Sequence, residues 1–490
     1  GGGLRIYERK DIDSVRMDLD SNKITSIELF NEANFLAHKY QDEYNSFVTI
    51  IDKYKMNKKY NTKITGIPYA LKDNFSTSGI LTTASSNILK NYIPVYDATV
   101  YKKLKEAGGI LIGKTVLDEL AMGGTGTTGH TGKVLNPWDK ERMIGGSSAG
   151  SCSSVALGIV PFAIGSDTGD SVRKPASYGG IVGFKPTYGR ISRYGLFAFA
   201  SSLDHVGIMA RSVKDVAIVT DIIKGKDDYD MTSLENDSKV YENEINNNIK
   251  GKKLFYIKEI CNINEYQNPS EMLSTALDKF NRTIEICKKI GIEVDEISID
   301  KNLLNALYPS YMTISCAEAT SNNSNLTGIS FGVRGDGNSI DEIMFNARTN
   351  GFSELIKRRF VIGSYVLQKE NQEKLYLNAC RVRRMIVNKI DELFKKYDGM
   401  IAPASGSIAP KFNEKSDKLS SSYLILENNL VIGNFGGYPS ITIPNGLIDN
   451  MPIGINITCK RENDSLVLNI AHKLEEQMPY KGMIAGDKYV

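Results

Sequence analysis

Histidine is scarce in this chain, with four in 490 residues, at positions 38, 130, 205 and 472. None lies in the segments around Lys72, Ser147 and Ser171 that carry the chemistry below, which argues against histidine as a serine's base. The six cysteines (152, 261, 287, 316, 380 and 459) show neither CxxC nor Cys/His ligand spacing, so no zinc site is expected. With no recognisable signal peptide, they read as reduced packing residues in a reducing compartment. No apolar stretch approaches the ~18 residues of a membrane span. Excess charge is also lacking. Sixty basic and 57 acidic residues leave a net charge of +3, so bulk charge does not announce a nucleic-acid binder. What is present is ordinary for a globular protein, with 41% hydrophobic and 24% charged residues. The length allows two or three domains, or one large α/β unit. Gly1-Gly2-Gly3, with no initiator methionine, reads as an appended leader and is set aside.

Thr25 and Glu28 predict a capping box opening a helix over 25–40, with Leu29, Ala33, Leu36 and Tyr40 on its apolar face. Residues 46–52 and 67–72 read as buried strands. Asp97 is expected to cap a helix that runs to Ala107 and stops at Gly108, followed by a strand at 110–112. Residues 117–150 read mostly as loop, 151–158 as a small-residue helix, and 159–164 and 181–184 as strands. A helix capped by Ser212 is expected over 212–224. Residues 225–251 read as an exposed excursion and 319–350 as a loop or lid. Long helices are expected over 270–290 and 373–397, and closing strands over 440–444 and 452–458. This alternation predicts an α/β layered fold with covered sheet faces.

Gly108 to Thr115 matches GxxxxGK[ST] literally. A phosphate-binding loop follows a strand and precedes a helix. Here a helix precedes it and Ile110-Leu-Ile112 looks like strand, so a buried strand is expected there.

Three segments carry the chemistry. Lys72 ends the apolar run Gly66-Ile-Pro-Tyr-Ala-Leu-Lys72, Ser147 lies in Gly145-Gly-Ser-Ser-Ala-Gly-Ser151, and Ser171 ends Gly165-Ser-Asp-Thr-Gly-Asp-Ser171. A serine hydroxyl needs a base within hydrogen-bond reach, and a lysine serves if burial disfavours its ammonium form. Read alone, Lys72 is a strand-end lysine paired with Asp73, the Gly/Ser run is equally a flexible linker, and the third segment is a turn.

In this order, the motifs resemble the amidase signature family from Gly66 to Ser212, with Gly-Phe-Lys-Pro-Thr-Tyr-Gly-Arg completing the series. The resemblance implies a mixed, twisted β-sheet covered by helices on both faces. It also implies a single domain over 4–490, with a signature core at about 60–215 and a peripheral excursion at about 225–350 forming part of a substrate lid. It implies a Ser–cisSer–Lys triad in which Ser171 is the nucleophile, Ser147 the proton relay and Lys72 the ultimate base. The backbone N–H groups of Thr168, Gly169, Asp170 and Ser171 would receive the oxyanion. No metal or cofactor is expected in this chain.

Tyr188 to Asp204, Tyr92 to Val100 and Asn136-Pro-Trp138 are most similar to the glutaminase subunits of glutamyl-tRNA(Gln) amidotransferases. Such subunits hydrolyse glutamine and pass ammonia to a B subunit that activates Glu-tRNA(Gln) with ATP and Mg. A small C-type subunit or an equivalent bridges the two, in the cytoplasm or an organellar matrix. Carried over by motif, Gly123 and Gly124 offer backbone contacts and Tyr311 touches the substrate. Arg359, in preference to Arg358, clamps its carboxylate, since a guanidinium binds both oxygens. Glu427 stands where an aspartate usually meets the α-amino group.

Two positions depart from the pattern. Ala149 replaces a common glycine. Asp170 replaces a glycine, which costs roughly 1 kcal/mol if φ is positive there. Its carboxylate is expected to repel a developing oxyanion unless Arg173 or solvent offsets it, giving lower turnover than an Asp170→Gly variant. A free-standing amidase on another amide, and a weakly active or structural subunit, remain alternatives.

Overall fold

The computed structural model describes residues 11–327, 351–414 and 420–485. Its backbone is an eleven-stranded sheet running Phe47–Ile50, Ile110–Thr115, Pro68–Lys72, Phe162–Asp167, His205–Ala210, Val182–Lys185, Ser440–Ile448, Met451–Cys459, Gly399–Pro403, Lys253–Ile257 and Glu293–Ile297. The sheet is mixed. Pro68–Lys72 is parallel to both its neighbours, whereas the strands from Phe162–Asp167 through Gly399–Pro403 pair antiparallel. All nine residues of Met451–Cys459 are buried, so both sheet faces are covered there. The Arg173–Gly179 and Asp464–Glu475 helices pack on it.

Local signals explain many elements. Thr25 and Glu28 form both bonds of a capping box, and the helix runs Ser26–Tyr44. Ser212 caps Val213–Ile223 through the Asp215 N–H. Asp97 does not cap the Thr99–Glu106 helix. Its carboxylate instead accepts from the Ser78 N–H (2.8 Å) and pairs with Lys105 (2.6 Å), and Ala98 precedes the helix with no side-chain cap. The predicted loop at 319–350 begins as helix, in Leu307–Asn322 and Ser324–Thr327, and the rest of that lid lies outside the described residues. Within 117–150, Leu135–Asn136 and Asp139–Met143 form a two-stranded ribbon that the sequence did not signal. Five of the six cysteines are buried and all six are unpaired. No helix among the described residues is long and apolar enough to cross a membrane.

The P-loop look-alike is a strand. Ile110–Thr115 is buried throughout. Lys114 reaches not a phosphate site but the carbonyl of Phe75 (3.0 Å), the hydroxyls of Thr77 and Thr82 (2.9 Å each) and the Asp73 carboxylate (3.3 Å). Asp73 also accepts from the Thr83 N–H (3.0 Å) and hydroxyl (2.5 Å). This fully buried pair pins the residue next to Lys72. Removing one partner strands the other charge, so Asp73→Ala is expected to cost about 3–5 kcal/mol in chemical denaturation. An unchanged midpoint would show that the pair does not hold this strand end.

Candidate active site

Parallel pairing of Leu71 with Ile164 brings the carboxyl ends of Pro68–Lys72 and Phe162–Asp167 side by side. There the Lys72 amine lies 2.7 Å from Ser147 Oγ, 2.7 Å from Ser166 Oγ and 3.3 Å from the Ser166 carbonyl. Ser166, which sequence reasoning did not single out, also accepts from Asn74 Nδ2 (3.1 Å). Among the described residues, no carboxylate touches the amine. The nearby acids are committed elsewhere. Asp118 accepts from the N–H groups of Gly126, Thr127 and Thr128, Asp167 pairs with Arg173, and Asp204 holds the Thr168 hydroxyl (2.6 Å) and two backbone N–H groups. Burial therefore lowers Lys72 to about 7 despite the attraction of those three carboxylates.

The Gly/Ser run is not a flexible linker. Ala149–Ala156 is a fully buried helix whose hydroxyls bond to the sheet: Ser151 donates to the Ile164 carbonyl (2.9 Å) and Ser153 to Ser46 Oγ (2.7 Å). The turn before it holds Ser147 in place. The Gly146–Ser147 peptide bond is cis. Gly146 donates to the Gly124 carbonyl (3.0 Å), which brings the Gly123-Gly124 loop against Ser147. Only glycine fits at 146, because a Cβ there would meet Asp118 Oδ2 at 1.9 Å.

Ser171 is 6% exposed, and its carbonyl accepts from the Ser148 N–H (3.1 Å), which sets it beside Ser147. The loop before it is clamped by Arg173, which is completely buried. Arg173 grips Asp167 through Nε and Nη2 (3.1 Å each) and donates to the Gly169 carbonyl (3.0 Å), the Leu430 carbonyl (2.8 Å) and Asn434 Oδ1 (2.7 Å). Burial alone would raise Asp167, but the Arg173 guanidinium outweighs it and holds the carboxyl well below the usual range. Among the described residues, the N–H groups of Thr168, Gly169, Asp170 and Ser171 have no hydrogen-bond acceptor. Four successive unpaired donors beside a serine suit a developing oxyanion.

Asp170 is not at positive φ, so the strain expected from replacing glycine is absent. Burial raises its carboxyl, and two cations work against that: Lys174, a residue not singled out from the sequence, one helical turn on, most strongly, and Arg173, as expected, in part. The Lys174 N–H donates to the Asp170 carbonyl (2.8 Å). Lys174 Nζ donates to the Glu427 carbonyl (3.1 Å) and lies 3.6 Å from its Oε2, so Glu427 already holds an ammonium. Tyr311 stands over Gly169, where a Cβ would meet its hydroxyl at 2.8 Å. Arg359 Nε is buried with no acceptor among the described residues, and the guanidinium works against the burial that raises the Tyr311 phenol, whereas Arg358 is exposed.

The chain and its fold are similar to known amidases. The amidase family profile matches residues 27–468. The chain is 39% identical to the A-type subunit of glutamyl-tRNA(Gln) amidotransferase from Fusobacterium nucleatum, over 94% of each chain. It is 40% identical to the same subunit from Pelagibacter ubique, over 87% of this chain and 86% of that one. The crystal structure of the corresponding Thermotoga maritima protein superposes with a TM-score of 0.79 at 34% identity, covering 99% of this chain and 98% of that one. Peptide amidase from Stenotrophomonas maltophilia shares the fold (TM-score 0.79, 22% identity, 97% and 98% covered). The chain belongs to the amidase family.

Lys72 is expected to titrate at about 7 when its labelled side chain is followed by NMR. Because the folded value lies below that of a free lysine, stability falls as pH drops from the free-lysine range to about 7 and is level below it. A midpoint near 10.5 would mean that the amine is paired or hydrated.

Proposed function

We propose that this member of the amidase family is the glutaminase subunit of a glutamyl-tRNA(Gln) amidotransferase, hydrolysing glutamine to glutamate and ammonia. The observation that carries the chemistry is the 2.7 Å contact between the desolvated Lys72 amine and Ser147 Oγ, beside Ser171. Neutral Lys72 takes the Ser147 proton, Ser147 takes the proton of Ser171, and Ser171 Oγ attacks the amide carbon. The N–H groups of residues 168–171 receive the oxyanion. The proton returns through Ser147 to the departing ammonia, and water hydrolyses the Ser171 ester by the same relay in a second round. Ammonia passes to a B subunit that uses ATP and Mg to convert Glu-tRNA(Gln), with a small C-type subunit bridging the two, in the cytoplasm or an organellar matrix. The identity to subunits of that name supports the assignment.

At the amino-acid end of glutamine, the half-buried Arg359 guanidinium suits the carboxylate, and Tyr311 lines the path to Ser171. The backbone of Gly123-Gly124 borders the amide.

Glutamine hydrolysis is expected to climb with pH to a plateau above about 7, since the neutral amine is the base. Lys72→Arg, which stays protonated, should lose on the order of a thousandfold. A glutamine-derived electrophile should acylate Ser171, and Lys72→Ala should abolish that adduct. Ammonia release from glutamine that depends on the co-expressed B subunit and Glu-tRNA separates this reading from a free-standing amidase. An unmodified Ser171 in a turning-over enzyme would sink the mechanism.

A further inference from the structure

We propose that Ser166 is a positioning residue for the base: it supplies two of the three oxygens around the Lys72 amine and stabilises the ammonium formed when Lys72 takes the Ser147 proton. This rests on the Ser171–Ser147–Lys72 relay above and deepens it.

A neutral lysine amine carries two hydrogens and a lone pair, whereas the ammonium carries three hydrogens. Taking the Ser147 proton therefore creates one more N–H to satisfy, at a place where burial penalises charge. Ser147 Oγ lies 2.7 Å from the amine. Ser166 provides the other two oxygens, its Oγ at 2.7 Å and its carbonyl at 3.3 Å. Three N–H groups then meet three oxygens, and two of those belong to Ser166. The charged groups felt by the amine are Asp118, Asp167 and Asp204, and each is filled by other donors. Among the described residues, every direct contact of the amine is thus to a neutral oxygen. A hydrogen bond strengthens when one partner becomes charged, so Ser166 holds the ammonium more tightly than the amine. That difference is what lowers the barrier of the proton transfer.

Ser166 is itself fixed from several sides. It is 4% exposed on the strand Phe162–Asp167, in register with Val206. Its Oγ accepts from Asn74 Nδ2 (3.1 Å). Ser148 meets its backbone twice: Ser148 Oγ donates to the Ser166 carbonyl (3.0 Å) and accepts from the Ser166 N–H (3.2 Å). Ser148 directly follows the relay serine, so the contacts that fix Ser166 also set its distance from Ser147. The two adjacent serines divide the work. One moves the proton, and the other holds the oxygens that meet the lysine.

The test is the rate at which an electrophilic glutamine analogue acylates Ser171 in the full chain. It is followed against pH and against analogue concentration for Ser166→Ala, Ser166→Thr and Ser166→Val. Ser166→Ala is expected to lower the maximal rate roughly tenfold to a hundredfold, the worth of one hydrogen bond to a charged group. The rising limb moves down from about 7, by about one pH unit, because the ammonium loses an acceptor while the three aspartates stay in place. The half-saturating concentration is expected to stay unchanged, since Ser166 acts on the amine and not on the analogue. Threonine and valine share one shape, and only threonine keeps the hydroxyl. Ser166→Thr is therefore expected to restore rate and limb, and Ser166→Val to behave as alanine does. An unmoved limb with an unchanged maximal rate in Ser166→Ala overturns the inference alone. So does a Ser166→Val protein that matches Ser166→Thr, the comparison that decides if the alanine variant fails to fold. A wild-type chain whose Ser171 is not acylated overturns the inference together with the relay.

Discussion

The structure turns on an ammonium deprived of a counter-ion. Lys72 is fully buried, and its three nearest oxygens are two hydroxyls and a carbonyl. Lowering a lysine from 10.5 to about 7 corresponds to roughly 5 kcal/mol against the charged form. A hydrogen bond to a charged group returns about 1.5–3 kcal/mol, yet with both hydroxyls and the carbonyl in place burial still brings this amine to about 7. A carboxylate in contact would oppose that. The surrounding acids are therefore as informative as the lysine. Asp118, Asp167 and Asp204 are close enough to be felt, yet each carboxylate is filled by other donors. Those same bonds shape the loops carrying Gly124, Ser171 and Thr168. One set of contacts thus sets both the geometry and the basicity of the site.

The Asp73–Lys114 pair shows the contrasting choice one residue away. There a buried lysine does have its carboxylate, three further oxygens close around it, and the result is a fastener. Two neighbouring lysine environments at the ends of paired strands differ mainly in whether a carboxylate touches the amine.

The legibility of these features in the sequence follows the range of the interactions. The capping box at Thr25 and Glu28 and the Ser212 cap are local, and both stand where expected. Asp97 reads as a cap on the same local grounds, but a long-range partner, the Ser78 N–H, takes its carboxylate. The strand His205–Ala210 carries no flanking signal strong enough to mark it, and tertiary packing defines it, whereas the helix Glu354–Leu367 has a local cap in Ser353 that went unread. The serine-rich Ala149–Ala156 helix is ambiguous for a physical reason. Its hydroxyls face sheet carbonyls and other hydroxyls, so polar composition coexists with complete burial. Within the site, Lys72, Ser147 and Ser171 are legible because long ordered motifs embed them. Ser166 and Asp118 are not, because a serine and an aspartate mean nothing until the fold sets them beside Lys72 and Ser147. Lys174 was within reach, since Asp170 and Lys174 are four residues apart on an expected turn.

Charge accounting, taken residue by residue, also explains how an aspartate can stand beside the nucleophile. The backbone does not oppose it, because φ at 170 is negative. An unscreened carboxylate would still repel the oxyanion. Lys174 lies on the same face, but it is shared with Glu427, so the three groups together carry one negative charge. Arg173, although bonded to Asp167, pulls the Asp170 carboxyl down as well, so two cations work against its burial. The aspartate beside Ser171 is therefore screened by its own helix, and among the described residues the four N–H groups from Thr168 to Ser171 keep no other acceptor to compete with an oxyanion.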